Sequence, residues 1–289
     1  MTVLVLGATG NVGRHVVREL VASGTAVRAV TRDTARASEV LPAGVEFVEG
    51  IVSDDLILGS LDGVESVFLL TPHGYAMGEE QLRVIRAVRR SEVRIVKLSG
   101  TSSAITPDGP HACRQHWEVE RVLESSGQPF VIIRPNSFMQ VLIGQIVLPA
   151  VRATGRVPNA IGLSGISLID ARDVAAVAAR TLTDSTWDGQ TLVLTGPRAI
   201  TYAEIAERIS ELRGATTPVL EITPADVRTT MIGRGLALWE ADHFEEMYEL
   251  FRAGRSEFVT GTVAAVTRNE PRTVDAYLAE IAPALAVDT

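Results

Sequence analysis

The 289-residue chain has one cysteine, Cys113, and one lysine, Lys97, among 27 basic residues. A single thiol excludes an internal disulfide and any metal site built from thiolates, so no metal ligand set is assigned. A lone cysteine without an activating neighbour is ordinarily inert. The scarcity of lysine beside abundant Arg and Ala reads as compositional bias. Basic residues are also outnumbered: 35 Asp and Glu leave a net charge of −8. That balance argues against nucleic acid as a partner, because nothing offers a positive surface to a phosphate backbone. Long apolar runs are missing, so no segment is expected to span a bilayer. The start, Thr2-Val3-Leu4-Val5-Leu6, lacks a charged leader region and runs at once into glycines; it reads as a buried strand and not as a signal peptide. A soluble, cytoplasmic protein is expected, with a homodimer left open.

A hydrophobic share of 46% with 21% charged residues can bury a real core and leaves no room for a disordered chain. The length suits one large α/β unit carrying a smaller lobe. Strands are expected at 3–6, 27–31, 45–49, 66–70, 94–99 and 130–134, with helices at 14–23, 79–91 and 114–126 showing apolar residues three or four apart. Such alternation predicts a doubly wound parallel sheet of Rossmann type, covered on both faces. After Pro135 the rhythm changes. A Gly- and Pro-rich stretch leads to Asp170-Ala171-Arg172-Asp173, an Ala/Val-rich helix, a strand at 191–194, and a helix at 202–212 opened by the capping box Thr201/Glu204. The last third is mainly helical. The expected division is a dinucleotide-binding domain over 1–154, with 167–196 packing back onto it, and a smaller substrate lobe over 155–289. No internal repeat is present.

Gly7-Ala8-Thr9-Gly10-Asn11-Val12-Gly13 follows a strand and opens a helix, which is the context a glycine motif needs to carry weight. Small residues there let backbone turn tightly and approach a pyrophosphate, whose charge then sits at the positive end of the helix dipole. About 20 residues beyond such glycines, an acid that binds the ribose hydroxyls marks NAD(H). Thr31 and Arg32 stand in that place. A guanidinium can bind a 2′-phosphate through charged hydrogen bonds where a carboxylate would repel it, so NADP(H) is favoured over NAD(H). Asp33 keeps NAD(H) open, and Arg14 and Arg36 are weaker candidates for the phosphate.

Further blocks stand in order along the chain: 67–72 (VFLLTP), 96–99 (VKLS), Glu118-Val119-Glu120 with Ser126-Gly127, 133–139 (IRPNSFM), 169–175 (IDARDVA) and 194–197 (LTGP). Together with the glycine loop they resemble the NmrA-like branch of the atypical short-chain dehydrogenase/reductases. That branch includes NAD(P)H:quinone oxidoreductases, dye reductases and redox-sensing regulators. The resemblance implies that Thr9 to Val12 contact the pyrophosphate and that Leu70, Thr71 and Pro72 line the path from adenosine to nicotinamide. It also implies that Ser99 and Gly100 border the nicotinamide, and that Pro135, Asn136, Ser137 and Phe138 close its pocket. One departure is that Gly50 is followed by Ile51-Val52-Ser53 where relatives often carry an acid; Asp54 is the nearest replacement.

A larger departure concerns the proton. Typical short-chain dehydrogenases use a Tyr-x-x-x-Lys pair. Here Tyr75, Tyr202, Tyr248 and Tyr277 are followed four residues on by Glu79, Ala206, Arg252 and Ile281. The pair is absent, which favours acceptors that are already electron-poor, such as a quinone or a cationic dye. His116 is the best replacement acid, since an imidazole titrates near neutral pH; His73 and His111 are the other candidates, and Ser99 is the candidate to orient a carbonyl by hydrogen bonding. Trp117, Phe138, Met139, Trp239 and Phe244 are candidate walls for a small conjugated or aromatic substrate. The reading is an NADPH-dependent oxidoreductase. A non-catalytic NADP(H) sensor and an enzyme using the fold for proton transfer are the alternatives.

Overall fold

The computed structural model describes residues 1–89 and 92–285. Its strands are β1 (Thr2–Val5), β2 (Ala26–Thr31), β3 (Glu46–Glu49), β4 (Val64–Leu69), β5 (Arg94–Leu98) and β6 (Phe130–Pro135). They are followed by β7 (Val157–Asn159), β8 (Gly165–Ile166), β9 (Gln190–Leu194), β10 (Ile200–Thr201) and β11 (Val219–Glu221). Seven of these make one parallel sheet in the order β3-β2-β1-β4-β5-β6-β9. The order reverses between β1 and β4, and in open α/β sheets such a reversal leaves a crevice at the carboxyl ends of the strands.

Residues two apart in a strand share a face. Val3, Val5, Val96, Leu98, Val131 and Ile133 pack with α1 (Gly13–Ala22) and the Ala171–Thr183 helix. Leu4, Leu6, Val67, Leu69, Ile95 and Ile132 face the other way, in one core with residues of α4 (Met77–Val88) and α5 (His111–Glu124). The helix expected over 79–91 thus ends at Val88, and Ser91 lies outside the described residues. Two short helices had no expectation: α2 (Thr34–Val40) and α3 (Asp54–Gly59). Each buries a single residue, Ala37 or Ile57, and is set by a cap instead of a stripe: Asp33 accepts from Arg36 N and Ser53 from Leu56 N.

A second core belongs to the smaller lobe and holds Met139, Ile143, Val147, Ile205, Tyr248 and Tyr277 among others. It starts earlier than the expected boundary at 155. Beyond it β9 pairs with β6 at the edge of the sheet, and Val174, Val177 and Ala178 are buried in the sheet core. Val263 and Val266 also lie in the sheet core, so the chain between the expected lobe ends comes back a second time.

Candidate active site

The first corner is made by backbone. Gly7 has φ +66°, a conformation that L side chains rarely adopt, and a Cβ on it would lie 2.9 Å from the Leu70 carbonyl oxygen. A Cβ on Gly13 would meet Gly7 O at 2.1 Å, so only glycine lets α1 start this close to β1. Between them Thr9 and Gly10 are exposed, and the first turn of α1 carries no acid. A row of small residues thus presents open backbone at the positive end of a ten-residue helix, a fit for a diphosphate.

Arg32 is exposed at the end of β2 and makes no hydrogen bond or ion pair among the described residues. Asp33 is committed elsewhere, since its carboxylate accepts from Arg36 N at 2.9 Å as the N-cap of α2. The end of β2 therefore offers an unpaired guanidinium, and the nearby acids are engaged: Asp33 by Arg36 N, and Glu49 at the end of β3 by Thr34 N and Oγ1. Leu70, Thr71 and Pro72 leave β4 beside the corner; Thr71 is buried, with Oγ1 accepting from Gln81 Nε2 at 3.3 Å.

The carboxyl ends of β5 and β6 carry the next groups. Ser99 Oγ donates to Glu120 Oε1 at 2.5 Å, and Arg134 holds the same carboxylate through Nε and Nη2. Thus the Ser99 hydroxyl points into a buried ion pair, and its hydrogen is not aimed at a substrate. The amide of Asn136 is likewise spent: Oδ1 accepts from Thr101 Oγ1 and Ser137 N, while Nδ2 donates to Ser167 Oγ and the Ser256 carbonyl. Asn136 pins three segments together, so what it offers a ligand is backbone. Phe138 packs against the sheet core and stays partly buried, whereas Met139 is fully buried in the lobe and is an ordinary packing residue. Trp117 packs with Ala104, Ile105 and Cys113.

Four of the five histidines face one another. His73, from the loop after β4, stacks on Trp239 at 5.5 Å and lies 5.3 Å from the His243 ring. His111 lies 4.9 Å from both Tyr75 and Trp239. Gln115 ties this loop to α5 by accepting from Gly78 N at 2.7 Å and donating to Gly74 O at 3.3 Å. Burial, then the neighbouring His73 and His111 and Arg114, holds His243 down to about 3. His73 is lowered by burial too, with Glu240 opposing and His111 adding to the fall. His116 is held well below the usual imidazole range by burial and by Lys97, His73, His243 and Arg134. His73, His116 and His243 are thus disfavoured as cations, and with His111, Tyr75 and Trp239 they form a cluster of rings suited to a flat conjugated molecule.

The pH dependence of stability follows. An unfolded histidine takes up its proton near 6.5, whereas folded His243 resists until about 3, so stability falls as the pH drops through that window. The melting temperature is expected to decline between pH 7 and pH 5, and His243→Gln is expected to flatten the decline. An unchanged slope in that variant would count against the buried, neutral ring.

Cys113 is no nucleophile: burial and Glu246 push its thiol up to about 12, and Sγ rests 3.8 Å from Met247 Sδ. A cavity of about 810 Å³ between the Ser103–Pro110 loop and the Leu238–Arg252 helix is lined by Asp108, Asp242, Glu245, Glu246 and Glu249. Those carboxylates would repel a pyrophosphate, in contrast to the glycine corner, where the first turn of α1 carries no acid. Among the described residues no group of three His, Cys, Asp or Glu is placed to hold a metal, and no helix is long and apolar enough to cross a membrane.

The residues that sequence reasoning passed over are Lys97, Glu120, Arg134 and His243. A signal for the first was present: one charged residue inside Ile95-Val96-Lys97-Leu98 has to be paired or placed for use. His116 and Glu120, four apart on α5, share a face that meets Lys97 on β5 and Ser99 just past its end.

The parallel sheet with its switch point and bare glycine corner defines a Rossmann-type nucleotide-binding protein. The chain matches the NmrA-like family over residues 1–278 and belongs to it. It is 32% identical over 273 residues to the NAD(P)H azoreductase of Xenophilus azovorans, covering 94% of each chain. It is also 32% identical over 286 residues to a (4-alkanoyl-5-oxo-2,5-dihydrofuran-3-yl)methyl phosphate reductase of Streptomyces griseus, covering 98% of this chain and 99% of that one. Among solved structures, an NADPH-dependent quinone oxidoreductase of Escherichia coli in complex with NADPH superposes with TM-score 0.87 at 21% identity, covering 96% of this chain and 99% of that one. The triphenylmethane reductase of Citrobacter sp. complexed with NADP(H) gives 0.83 at 18% identity, with 96% and 99% covered.

Proposed function

We propose that this protein is an NADPH-dependent oxidoreductase that reduces a flat conjugated acceptor, a quinone or an azo compound, without a Tyr-x-x-x-Lys pair. The observation that carries the reading is the juxtaposition of two things at one sheet edge. One is the open glycine corner with unpaired Arg32, and the other is the cluster of rings His73, Tyr75 and Trp239 on the loop that leaves β4 beside that corner and on the Leu238–Arg252 helix, with His116 close by on α5. The azoreductase relative supports both halves.

When bound, NADPH supplies the hydride. Gly7, Thr9, Gly10, Asn11, Val12 and Gly13 would hold its pyrophosphate on backbone amides, and Arg32 would pair with the 2′-phosphate. Leu70, Thr71 and Pro72 would line its length, and Gly100 with Pro135 to Phe138 would border the ring that reacts. Trp239 from the lobe and His73 and Tyr75 from the loop after β4 would stack on the acceptor, and His116, a neutral ring, would give the proton of its N–H. Ser99, with its hydroxyl turned to Glu120, acts by fixing the end of β5. The same reading makes the protein cytoplasmic, and a homodimer if light scattering finds twice the chain mass.

NADPH mixed with the protein and a panel of quinones and azo compounds is expected to lose its reduced-nicotinamide absorbance only when an acceptor is present. Tight binding without turnover of any panel member would replace the enzyme by a sensor. Arg32→Glu is expected to weaken NADPH by about 10- to 100-fold, the worth of one to two charged hydrogen bonds, and to leave NADH within about twofold. Equal losses for the two dinucleotides would remove Arg32 from the phosphate.

A further inference from the structure

Lys97 is fully buried in the middle of the sheet. Its Nζ lies 2.9 Å from His116 Nδ1 and 3.4 Å from the Leu98 carbonyl oxygen. No carboxylate is bonded to it, because Glu120 is taken by Arg134 and Ser99. Of these three charges Glu120 and the half-buried Arg134 cancel, and the third, a fully buried ammonium, faces only neutral acceptors. Burial is the first cause that lowers Lys97 to about 7, with Arg134 adding to the fall and Glu120 opposing it.

An ammonium has three donors and no acceptor. When Lys97 is charged, His116 Nδ1 must be the accepting nitrogen and the imidazole hydrogen must sit on Nε2. Nε2 adjoins Cδ2, and Cδ2 is 3.6 Å from where a Cβ on Gly100 would stand, so this edge of the ring borders the residue at the end of β5. His116 is only partly buried, and Nε2 makes no hydrogen bond among the described residues. Other charged or titratable groups act on the ring: His73 from the loop after β4, His243 from the Leu238–Arg252 helix and Arg134 from β6, while Glu120, one turn further along α5, is bonded to Ser99 and Arg134.

We propose that Lys97 is the positioning residue of the proton donor: it holds His116 as the Nε2–H tautomer toward the cleft and resupplies the ring with a proton from behind. The inference rests on the reductase reading. A neutral acceptor that has taken hydride carries a negative charge on oxygen or nitrogen. The His116 Nε2–H bond then breaks as the new O–H or N–H bond forms, and a proton passes from Lys97 Nζ to Nδ1. The acceptor has gained one hydride and one proton, a two-electron reduction matched by oxidation of the dinucleotide. Lys97 is left as a neutral amine. Being buried, it recovers its proton only through the imidazole, by protonation of Nε2 from water and return of the Nδ1 proton. A triarylmethyl cation becomes neutral on taking hydride and needs none of this.

Lys97→Met, which keeps the stem and removes the ammonium, tests the proposal with two probes: menadione, a neutral quinone, and the cationic dye malachite green. The ratio of menadione to dye turnover is expected to fall about 100-fold, the low end for a lost general acid. The wild-type menadione rate is expected to fall as pH rises past about 7, where Lys97 deprotonates, and the variant is expected to lose that limb. Lys97→Arg keeps a donor that does not give up its proton, so it preserves the tautomer without restoring menadione turnover. Nitrogen NMR of histidine-labelled protein reads the ring directly: Nε2–H in the wild type and in Lys97→Arg, a tautomer mixture in Lys97→Met. An unchanged ratio, or a wild-type His116 protonated on Nδ1, overturns the proposal. Should the wild type reduce neither probe with NADPH, it is the reductase reading that fails, and the NMR still decides how Lys97 and His116 are arranged. If Lys97→Met does not fold, the wild-type spectrum and Lys97→Arg decide.

Discussion

Aspartate in place of Gly10 will abolish dinucleotide binding while the protein stays folded. Gly10 is exposed, and a Cβ there meets only the Gly7 carbonyl oxygen, at 3.1 Å, so a side chain can be accommodated with a small shift. Beside the first turn of α1 a carboxylate is favoured by the helix dipole, which protects the melting temperature. The pyrophosphate suffers the opposite fate. A like charge at about 4 Å with an effective dielectric near 20 costs about 4 kcal/mol, or about three orders of magnitude in affinity. Gly13→Ala is the contrast, because its Cβ would run into backbone at 2.1 Å and must open the corner itself, lowering both affinity and stability. Calorimetry and thermal melting separate the two. NADPH binding within tenfold of wild type in the aspartate variant would move the cofactor away from this corner.

The second large effect is on stability. Glu120 is fully buried and neutralises Arg134 through two nitrogens while accepting from Ser99. Removing one partner of such a pair leaves a guanidinium without compensation, which costs about 3–5 kcal/mol. For a domain of this size that is a fall of about 10 °C in Tm for Glu120→Ala. Two positive groups, Lys97 and Arg134, then share the pocket without the acid that opposed their repulsion. Pairing Glu120→Leu with Arg134→Met removes both charges, and most of the loss is expected to return. A single variant that melts within about 2 °C of wild type would show that the pair contributes little.

The sheet was legible because a parallel strand buried on both faces needs an unbroken apolar run, and Val3–Leu6 or Ile132–Ile133 can be little else. The glycine corner was legible for a similar reason, since the steric demand at Gly7 and Gly13 admits no other residue. α2 and α3 were not, because one buried residue and one cap leave no periodic stripe to read. Arg32 and the capping role of Asp33 divide along the same line. The first follows from place in a motif, whereas the second depends on a turn that only the folded chain displays.

The cleft itself was half visible. His116 stood where an acid was wanted, but its partner lies 19 positions earlier on another element, and a lone lysine in an Arg-rich chain reads as bias. Trp239 and His243 come from a helix more than a hundred residues further on, and only tertiary packing brings them to His73. Asn136 and Ser99 illustrate the converse. Position in the motif placed them at the site, and the hydrogen bonds show their side chains working as mortar within the protein.

The chain passes between the two cores near Phe138, Leu168, Thr195, Phe258 and Arg268. Cross-links follow the same seam: Phe138 bridges to Ile169, Thr260 bonds Thr195 and the Val193 carbonyl, and Arg272 pairs with Asp173. A jaw that swings freely needs a short pivot where few strands of chain meet, and this molecule is stitched across its waist instead. The contacts of Tyr75 and His73 with Trp239 add one more tie, between the loop after β4 and the Leu238–Arg252 helix, so the two cores are held in one relative arrangement.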